Sequence, residues 1–309
     1  MLGLLEDSVH IIGNIKILFC LGKMNNFRIT PGFHHFGLSA RIYFLDTNVW
    51  SSLASSTKAL NAFLPWLQKN NAIAALSMFT VFELSRAENM LKDFDRLLNN
   101  SAQRIYIPLL YDELSSLEMH SYPNEVELLW SPLTSFSNRD EIKFVSTISK
   151  DPRFVSKRQE FLEFGYTKFM NLEGLKSNFP LEDNDGKFSV ENAESFAWAN
   201  TLSYLLHYFP EYLLLFKGRL HVFDTSKLKS IYIRSLFLYF KYYVHEQSPN
   251  KSDFMDFAHV SYLPYVDTYV TERNALNTLS HIKASYDGIL KCDLLHVRAF
   301  VNEIEHSLR

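Results

Sequence analysis

RIYFLDTNVWSSLASSTKALNAFLPWLQKNNAIAALSMFTVFELSRAENMLKDFDRLLNNSAQRIYIP, residues 41–108, is the stretch that decides the fold. The apolar run Ile42–Asp46 is too short and too β-branched or aromatic for a helix, and it ends on an acid. It feeds a helical pattern over Val49–Lys69 whose apolar positions include Leu53, Leu60, Leu64 and Leu67. A second apolar run, Ala72–Ser77, leads into a helix predicted over Phe79–Leu98, and Arg104–Pro108 reads as a third strand closed by proline. Strand, helix, strand, helix, strand implies a parallel sheet with right-handed crossovers.

Downstream of Pro108 the alternation stops, and it resumes only after the polar loop Glu246–Ser252. There Asp253–Leu263 reads as a helix stopped by Pro264, Val266–Val270 as a strand and Asn274–Ser285 as a helix. Gly288–Leu290 reads as an edge strand and Leu294–Leu308 as a terminal amphipathic helix. The simplest organisation is one α/β domain in two parts, residues 41–108 and 251–309, interrupted by a mainly helical insertion at 109–250. Residues 1–40 form an extension without a clear period, and Glu182–Phe188 marks a turn inside the insertion.

The whole chain of 309 residues carries 31 basic and 34 acidic side chains, so bulk positive charge cannot be what draws it to nucleic acid. With 10 Gly and 10 Pro, collagen-like and turn-dense all-β architectures are excluded. Its 2 cysteines, Cys20 and Cys292, are too few for a disulfide framework or a Cys-rich zinc site, and a reducing cytoplasm is the expected setting. Ser195–Phe216 has the length of a membrane span but contains Asn200, His207, Pro210 and Glu211, so a buried helix and no membrane partner are expected.

Most helical acids are solvated, so acids in apolar surroundings carry the information. Glu83 is the one charge on the face Phe79, Glu83, Ala87, Met90, Phe94 of its predicted helix. A carboxylate there needs a cation, either an arginine such as Arg41 or Arg104 or a metal. Asp256 shares a face with Val260 and Leu263, and His259 follows it by one turn, placed to shuttle a proton. Asp253, behind Ser252, suits capping of the helix N-terminus. Asp46 ends the first strand, at the edge where open parallel sheets hold ligands, and Thr47 and Asn48 can cap the next helix or orient it. Asp267 and Glu272 flank the last strand, about 16 Å apart at ~3.3 Å per residue, so they cannot easily share one small site. The carboxyl-edge position favours Glu272. Acids gathered this way repel unless a cation neutralises them, and oxygen donors without paired His or Cys suit Mg²⁺ or Mn²⁺.

The turn IYFLDTNVW, the acid in SMFTVFELSRAE and the block SDFMDFAHVSYLPYVDTYVTERN together resemble the PIN-domain nucleases. The resemblance covers about Arg41–Pro108 and Asp253–Ser285. It implies a three-layer α/β/α fold with a central parallel sheet and cleavage of RNA, less often DNA, with Mg²⁺ or Mn²⁺. It also implies metal-site roles for Asp46, Glu83 and Asp256, with Thr271 and Asn48 as polar supports. Many relatives carry Asp one or two residues beyond the Thr. Here the chain reads Thr271, Glu272, Arg273, Asn274, so the fourth acid is a longer Glu or is missing. The insertion also exceeds what compact toxin members need.

Within the insertion, Ser195–His245 holds 14 aromatics, which either pack or present stacking surfaces. Lys227, Arg234 and Lys241 recur every seven residues on one helical side, a stripe that either tracks an RNA backbone or is simply solvated. The leading expectation is a metal-dependent endoribonuclease. The alternative is a catalytically silent PIN-like scaffold that binds RNA or a protein. A phosphotransferase with Asp46 as nucleophile is disfavoured by Asn48 where a second acid is wanted and by the lack of a Gly-rich phosphate loop. A regulatory protein partner and a homo-oligomer stay open.

Overall fold

The structure is a computed structural model that describes residues 39–136, 189–210, 222–250, 253–286 and 288–307, with short pieces between 145 and 163. Nearly all of the expected extension at 1–40, the turn at Glu182–Phe188 and residues 211–216 of the apolar stretch lie outside the described residues.

The first strand, β1 (Arg41–Leu45), runs into α1 (Thr47–Ser55) and α2 (Thr57–Lys69), where one helix was predicted. The break is at Ser56, whose extended backbone (φ −101°, ψ 110°) lets its hydroxyl accept from Ala59 N at 3.2 Å. In the run Ser-Ser-Thr these short polar side chains offer the backbone an alternative partner, so the helix ends and restarts. From α2 the chain turns through Asn71 (φ 44°) into β2 (Ala72–Ala75), every residue of which is buried.

The predicted helix over Phe79–Leu98 is also two helices, α3 (Met78–Leu84) and α4 (Leu91–Ser101). Ser85 closes the first by donating to Phe82 O at 2.8 Å, and Arg158 Nη1 donates to Ser85 O at 3.2 Å. Carbonyls satisfied in this way let α3 stop after seven residues. Strand β3 (Ile105–Pro108) follows, then α5 (Tyr111–Ser121) and β4 (Trp130–Pro132). Strand β4 pairs antiparallel with β3, an exception to the expected all-parallel sheet that a three-residue Trp-Ser-Pro strand gave no period to reveal.

The insertion supplies α6 (Ala193–Tyr208) and α7 (Lys229–Tyr239), and α7 ends in a π-helical turn, Phe240–Val244. The second α/β part is α8 (Asp253–Val260), β5 (Thr268–Thr271), α9 (Arg273–Ser285), β6 (Asp293–His296) and α10 (Val297–His306). The edge strand is therefore Asp293–His296 and not Gly288–Leu290, whose Gly288 is a turn residue at φ 88°. The terminal helix starts three residues later than predicted because Asp293–His296 pairs with β5 over its whole length.

The sheet order is β4-β3-β2-β1-β5-β6. From β1 the chain adds strands outward to one side, through β2 and β3, and returns to add β5 and β6 on the other. The switch in direction lies between β1 and β5. One core joins both parts and the insertion: Phe44 stacks on Tyr262 at 5.2 Å, Tyr43 on Phe300 at 5.8 Å, and Phe237 of α7 meets Phe257 of α8 edge-on at 5.4 Å. Every residue of α7 from Ser230 to Tyr239 is buried. The aromatics of the insertion that are described are thus mostly packing groups, with Trp198 the exposed one. Among the described residues no helix is long and apolar enough to cross a membrane.

Candidate functional site

Asp46 is the first residue beyond β1. Its extended backbone (φ −62°, ψ 157°) makes it the N-cap of α1, and its Oδ1 accepts from Thr47 N at 2.6 Å. Across the switch point, Thr271 Oγ1 at the end of β5 donates to Asp46 Oδ2 at 2.8 Å. Leu45 pairs with Val270 and Thr271 with His296, so Asp46, Thr271 and His296 form a row along the carboxyl edge. Behind Asp46, His259 Nδ1 lies 3.5 Å from Oδ1, an ion-pair distance without hydrogen-bond alignment. Burial alone would raise the Asp46 pKa, but His259, Thr271 and the Thr47 amide bring it below the usual aspartate value.

Glu83 reaches the same place from α3. The N-cap Ser77, whose hydroxyl accepts from Thr80 N at 3.0 Å, fixes the start of that helix at the carboxyl end of β2. Thr47 Oγ1 then donates to Glu83 Oε2, so one threonine braces two acids, through its amide to Asp46 and its hydroxyl to Glu83. The expected alternative, an ion pair of Glu83 with Arg41 or Arg104, does not form; Arg41 pairs instead with Asp293. Burial pushes the Glu83 carboxyl up to about 7; His259 and the Thr47 bond oppose the rise, while Asp46 and Asp256 add to it.

Asp256, on α8, accepts from Lys241 Nζ at 2.9 Å through Oδ2. The same ammonium donates to Asp253 Oδ1 at 2.8 Å, and Asp253 Oδ2 also accepts from Tyr242 OH at 2.6 Å and Asn250 N at 2.8 Å. Asp253 therefore holds Lys241 and the preceding loop, where capping of the helix was the expectation. Burial disfavours the charge on Lys241, but Asp256 and Asp253 outweigh it and hold its pKa above the usual lysine value. Asp256 is pushed up to about 6 by burial, with Lys241 opposing and Asp46 adding to the rise.

His259 was expected to shuttle protons. It is fully buried, with Nε2 3.0 Å from Ser77 Oγ and 3.3 Å from Thr80 Oγ1, and it packs edge-on against Phe44. Burial works against its charge, but Asp46, Glu83 and Asp256 raise its pKa. It lies under the acids, out of reach of solvent, where their charge favours its protonated form.

Asp267 sits at the other edge of the sheet, before β5, where its Oδ2 accepts from Ile42 N at 2.7 Å; it braces the backbone of β1 and is not with the other acids. Glu272 is at the carboxyl edge as expected, exposed, and opens on a cleft with Arg273 and Arg298. Asn48 is exposed on the first turn of α1, and Thr47 does the bracing that either residue was expected to do.

The basic stripe does not exist as a surface. Arg234 is buried between Tyr111 and Tyr204, its guanidinium carbon 5.3 Å from each ring centroid, and Lys241 is buried in its carboxylate pair. Lys227 is exposed but lies in a turn before α7. A seven-residue spacing places residues on one side of a helix without saying whether that side meets solvent, and here the side faces inward. The role of Lys241 as the partner of Asp256 left no local signal, because the two are joined through a loop rather than by helical spacing.

In kind, the donors Asp46, Glu83 and Asp256 fit a hard divalent ion, being oxygen only. In the conformation described they do not converge: among the described residues no group of three or more His, Cys, Asp or Glu is placed to hold a metal. Lys241 and His259 occupy the cationic positions instead. No protein-family model, curated protein or solved structure matches the chain.

Proposed function

We propose that the chain is a metal-dependent nuclease with a PIN-like α/β part, an endoribonuclease that hydrolyses phosphodiester bonds with Mg²⁺ or Mn²⁺. What supports this reading is that Asp46, Glu83 and Asp256, although not converged on one point, lie near enough to one another around the switch point between β1 and β5 to shift each other's pKa. They come from three elements far apart in the chain, and each raises or is raised by the charge of another. Ligand sites of open α/β sheets lie at such points. Holding carboxylates together without full neutralisation costs stability, a cost usually tolerated where function needs it.

A divalent ion held by Asp46, Glu83 and Asp256 would polarise a water and offset charge on the phosphate. The chain's own residues do the rest. Thr271 and the Thr47 amide fix Asp46 by both oxygens, so its orientation is set before substrate arrives. Glu83 and Asp256, whose pKa values lie near 7 and 6, release protons readily when a cation replaces them. His259 favours the ionised form of Asp46 from the buried side, and Lys241 is shared between Asp253 and Asp256.

A second reading is favoured by a specific observation. Lys241 and His259 already balance Asp256 and Asp46, which is what a catalytically silent scaffold would retain. The two readings separate in one assay: single-stranded RNA and DNA incubated with the protein and Mg²⁺ or Mn²⁺, beside D46N and D256N. Cleavage by the wild type that both variants lose supports the nuclease. No cleavage under any metal, or cleavage that survives both substitutions, overturns it in favour of the scaffold.

A further inference from the structure

Beyond the three acids, the carboxyl edge holds a cleft of about 340 Å³ lined by Glu272, Arg273, Asn274, His296, Val297 and Arg298. Its walls are the residues that follow two neighbouring strands: Glu272–Asn274 come after β5, and Val297–Arg298 after β6. Pairing of Thr271 with His296 sets these two walls level with each other. Arg273 and Arg298 are exposed, and among the described residues neither forms a salt bridge. The lining thus carries two permanent guanidinium charges against one carboxylate, with His296 also among the lining residues. The first turn of α9, which has no side-chain cap, opens on the same space and its dipole favours an anion there, whereas the Arg298 amide in the first turn of α10 donates to His296 Nδ1 at 3.2 Å.

The cleft is also placed relative to the acids. Asp46, Thr271 and His296 form one row, and adjacent strands are about 4.8 Å apart, so the cleft begins roughly 5–10 Å from Asp46 along the sheet edge. A strand lying across the edge would meet the acids and the arginines in succession. Guanidinium groups match phosphate geometry, and exposed ones can turn to meet it.

We propose that this cleft is a phosphodiester subsite, in which Arg273 and Arg298 hold a backbone phosphate of single-stranded RNA next to the one presented to Asp46, Glu83 and Asp256. The assignment rests on the nuclease reading of those acids, and it replaces the Lys227, Arg234 and Lys241 stripe, of which Arg234 and Lys241 are buried, as the place where the chain meets RNA.

The test is equilibrium binding of a labelled single-stranded RNA in EDTA, where no metal-dependent cleavage occurs, measured against salt for the wild type, R273Q/R298Q and E272Q. Each phosphate neutralised on a single strand contributes about 0.7 to the salt slope, so the double variant, which loses the one phosphate the two arginines share, flattens the slope by about 0.7 and weakens binding about tenfold at low salt. Removing the opposing carboxylate in E272Q tightens binding. These residues are on the surface, and circular dichroism confirms that the variants are folded. Unchanged affinity and slope in R273Q/R298Q overturn the subsite, and if the wild type still cleaves RNA the nuclease reading survives that failure. Arginine-dependent binding by a protein that cleaves nothing with Mg²⁺ or Mn²⁺ upholds the cleft as an RNA contact and removes the nuclease reading instead.

Discussion

Thr271 shows how much one hydroxyl does at this site. It holds Asp46 Oδ2 from the neighbouring strand while Asp46 is buried, with only 6% of its surface exposed. In T271V the shape is kept and the donor is lost, which leaves a buried carboxylate oxygen short of a partner. The expected cost is about 1–3 kcal/mol in urea unfolding, together with loss of RNA cleavage. A variant as stable as wild type would mean that the bond contributes nothing to orientation. Lys241 is the complementary case. In K241M two carboxylates lose their buried cation, at an expected cost of about 3–5 kcal/mol. If a divalent ion can take the vacated position, Mn²⁺ raises the melting temperature of K241M by more than that of the wild type; equal shifts would argue against such a replacement. At this scale the sequence was informative where an acid stood at an odd place on a pattern, as Asp46, Glu83 and Asp256 did. It was silent on Lys241, because nothing in a seven-residue repeat distinguishes an inward lysine from a solvated one.

At the scale of elements, α7 starts without a cap of its own. Glu118 of α5 supplies it from outside, accepting from Ser230 N at 2.8 Å and Ser230 Oγ at 2.5 Å, and from Tyr265 OH in the loop before β5. One carboxyl therefore ties the insertion to the second α/β part. Burial pushes Glu118 up to about 7 from 4.5, with the Ser230 and Tyr265 bonds and Arg234 opposing. Because the folded pKa is the higher one, the folded state binds more protons than the unfolded state between those values, and stability falls as pH rises through that window. Unfolding free energy should drop by up to about 3 kcal/mol between roughly pH 4.5 and 7 on account of this group, and E118Q should flatten that fall. A wild-type profile that rises over the same range would contradict the assignment. The strands β1 and β2 were legible as short apolar runs, whereas β4 and β6 were not. Trp130–Pro132 is too short to show a period, and Asp293–His296 merges in sequence with the amphipathic helix that follows it. The helix breaks at Ser56 and Ser85 were invisible because the apolar spacing carries on past them.

For the whole molecule, the segment read from the sequence as an insertion packs, through α7, into the same core as the two α/β parts. Helix α7 is buried on all sides and shares its core with Phe44, Tyr262 and Phe257. F237A, which removes a fully buried ring packed on Phe257, should cost about 3–5 kcal/mol and reduce cleavage together with stability. Loss of less than about 1 kcal/mol would mean that the insertion is an independent unit. The near balance of 31 basic and 34 acidic residues also takes on a location. Arg234 and Lys241 are spent inside, against aromatic rings, Asp253 and Asp256, while Arg273 and Arg298 beside the carboxyl edge are exposed.

The central claim is that Asp46, Glu83 and Asp256 hold a divalent cation. Titration of Mn²⁺ into the protein, followed by the paramagnetic resonance of the free ion, tests it without reference to any substrate. The account predicts saturable binding that D46N and D256N each weaken about tenfold or more. It also predicts that binding tightens as pH rises through 6 and 7, where Asp256 and Glu83 lose the protons that compete with the metal. Binding that is absent, or the same in wild type and both variants, would contradict it.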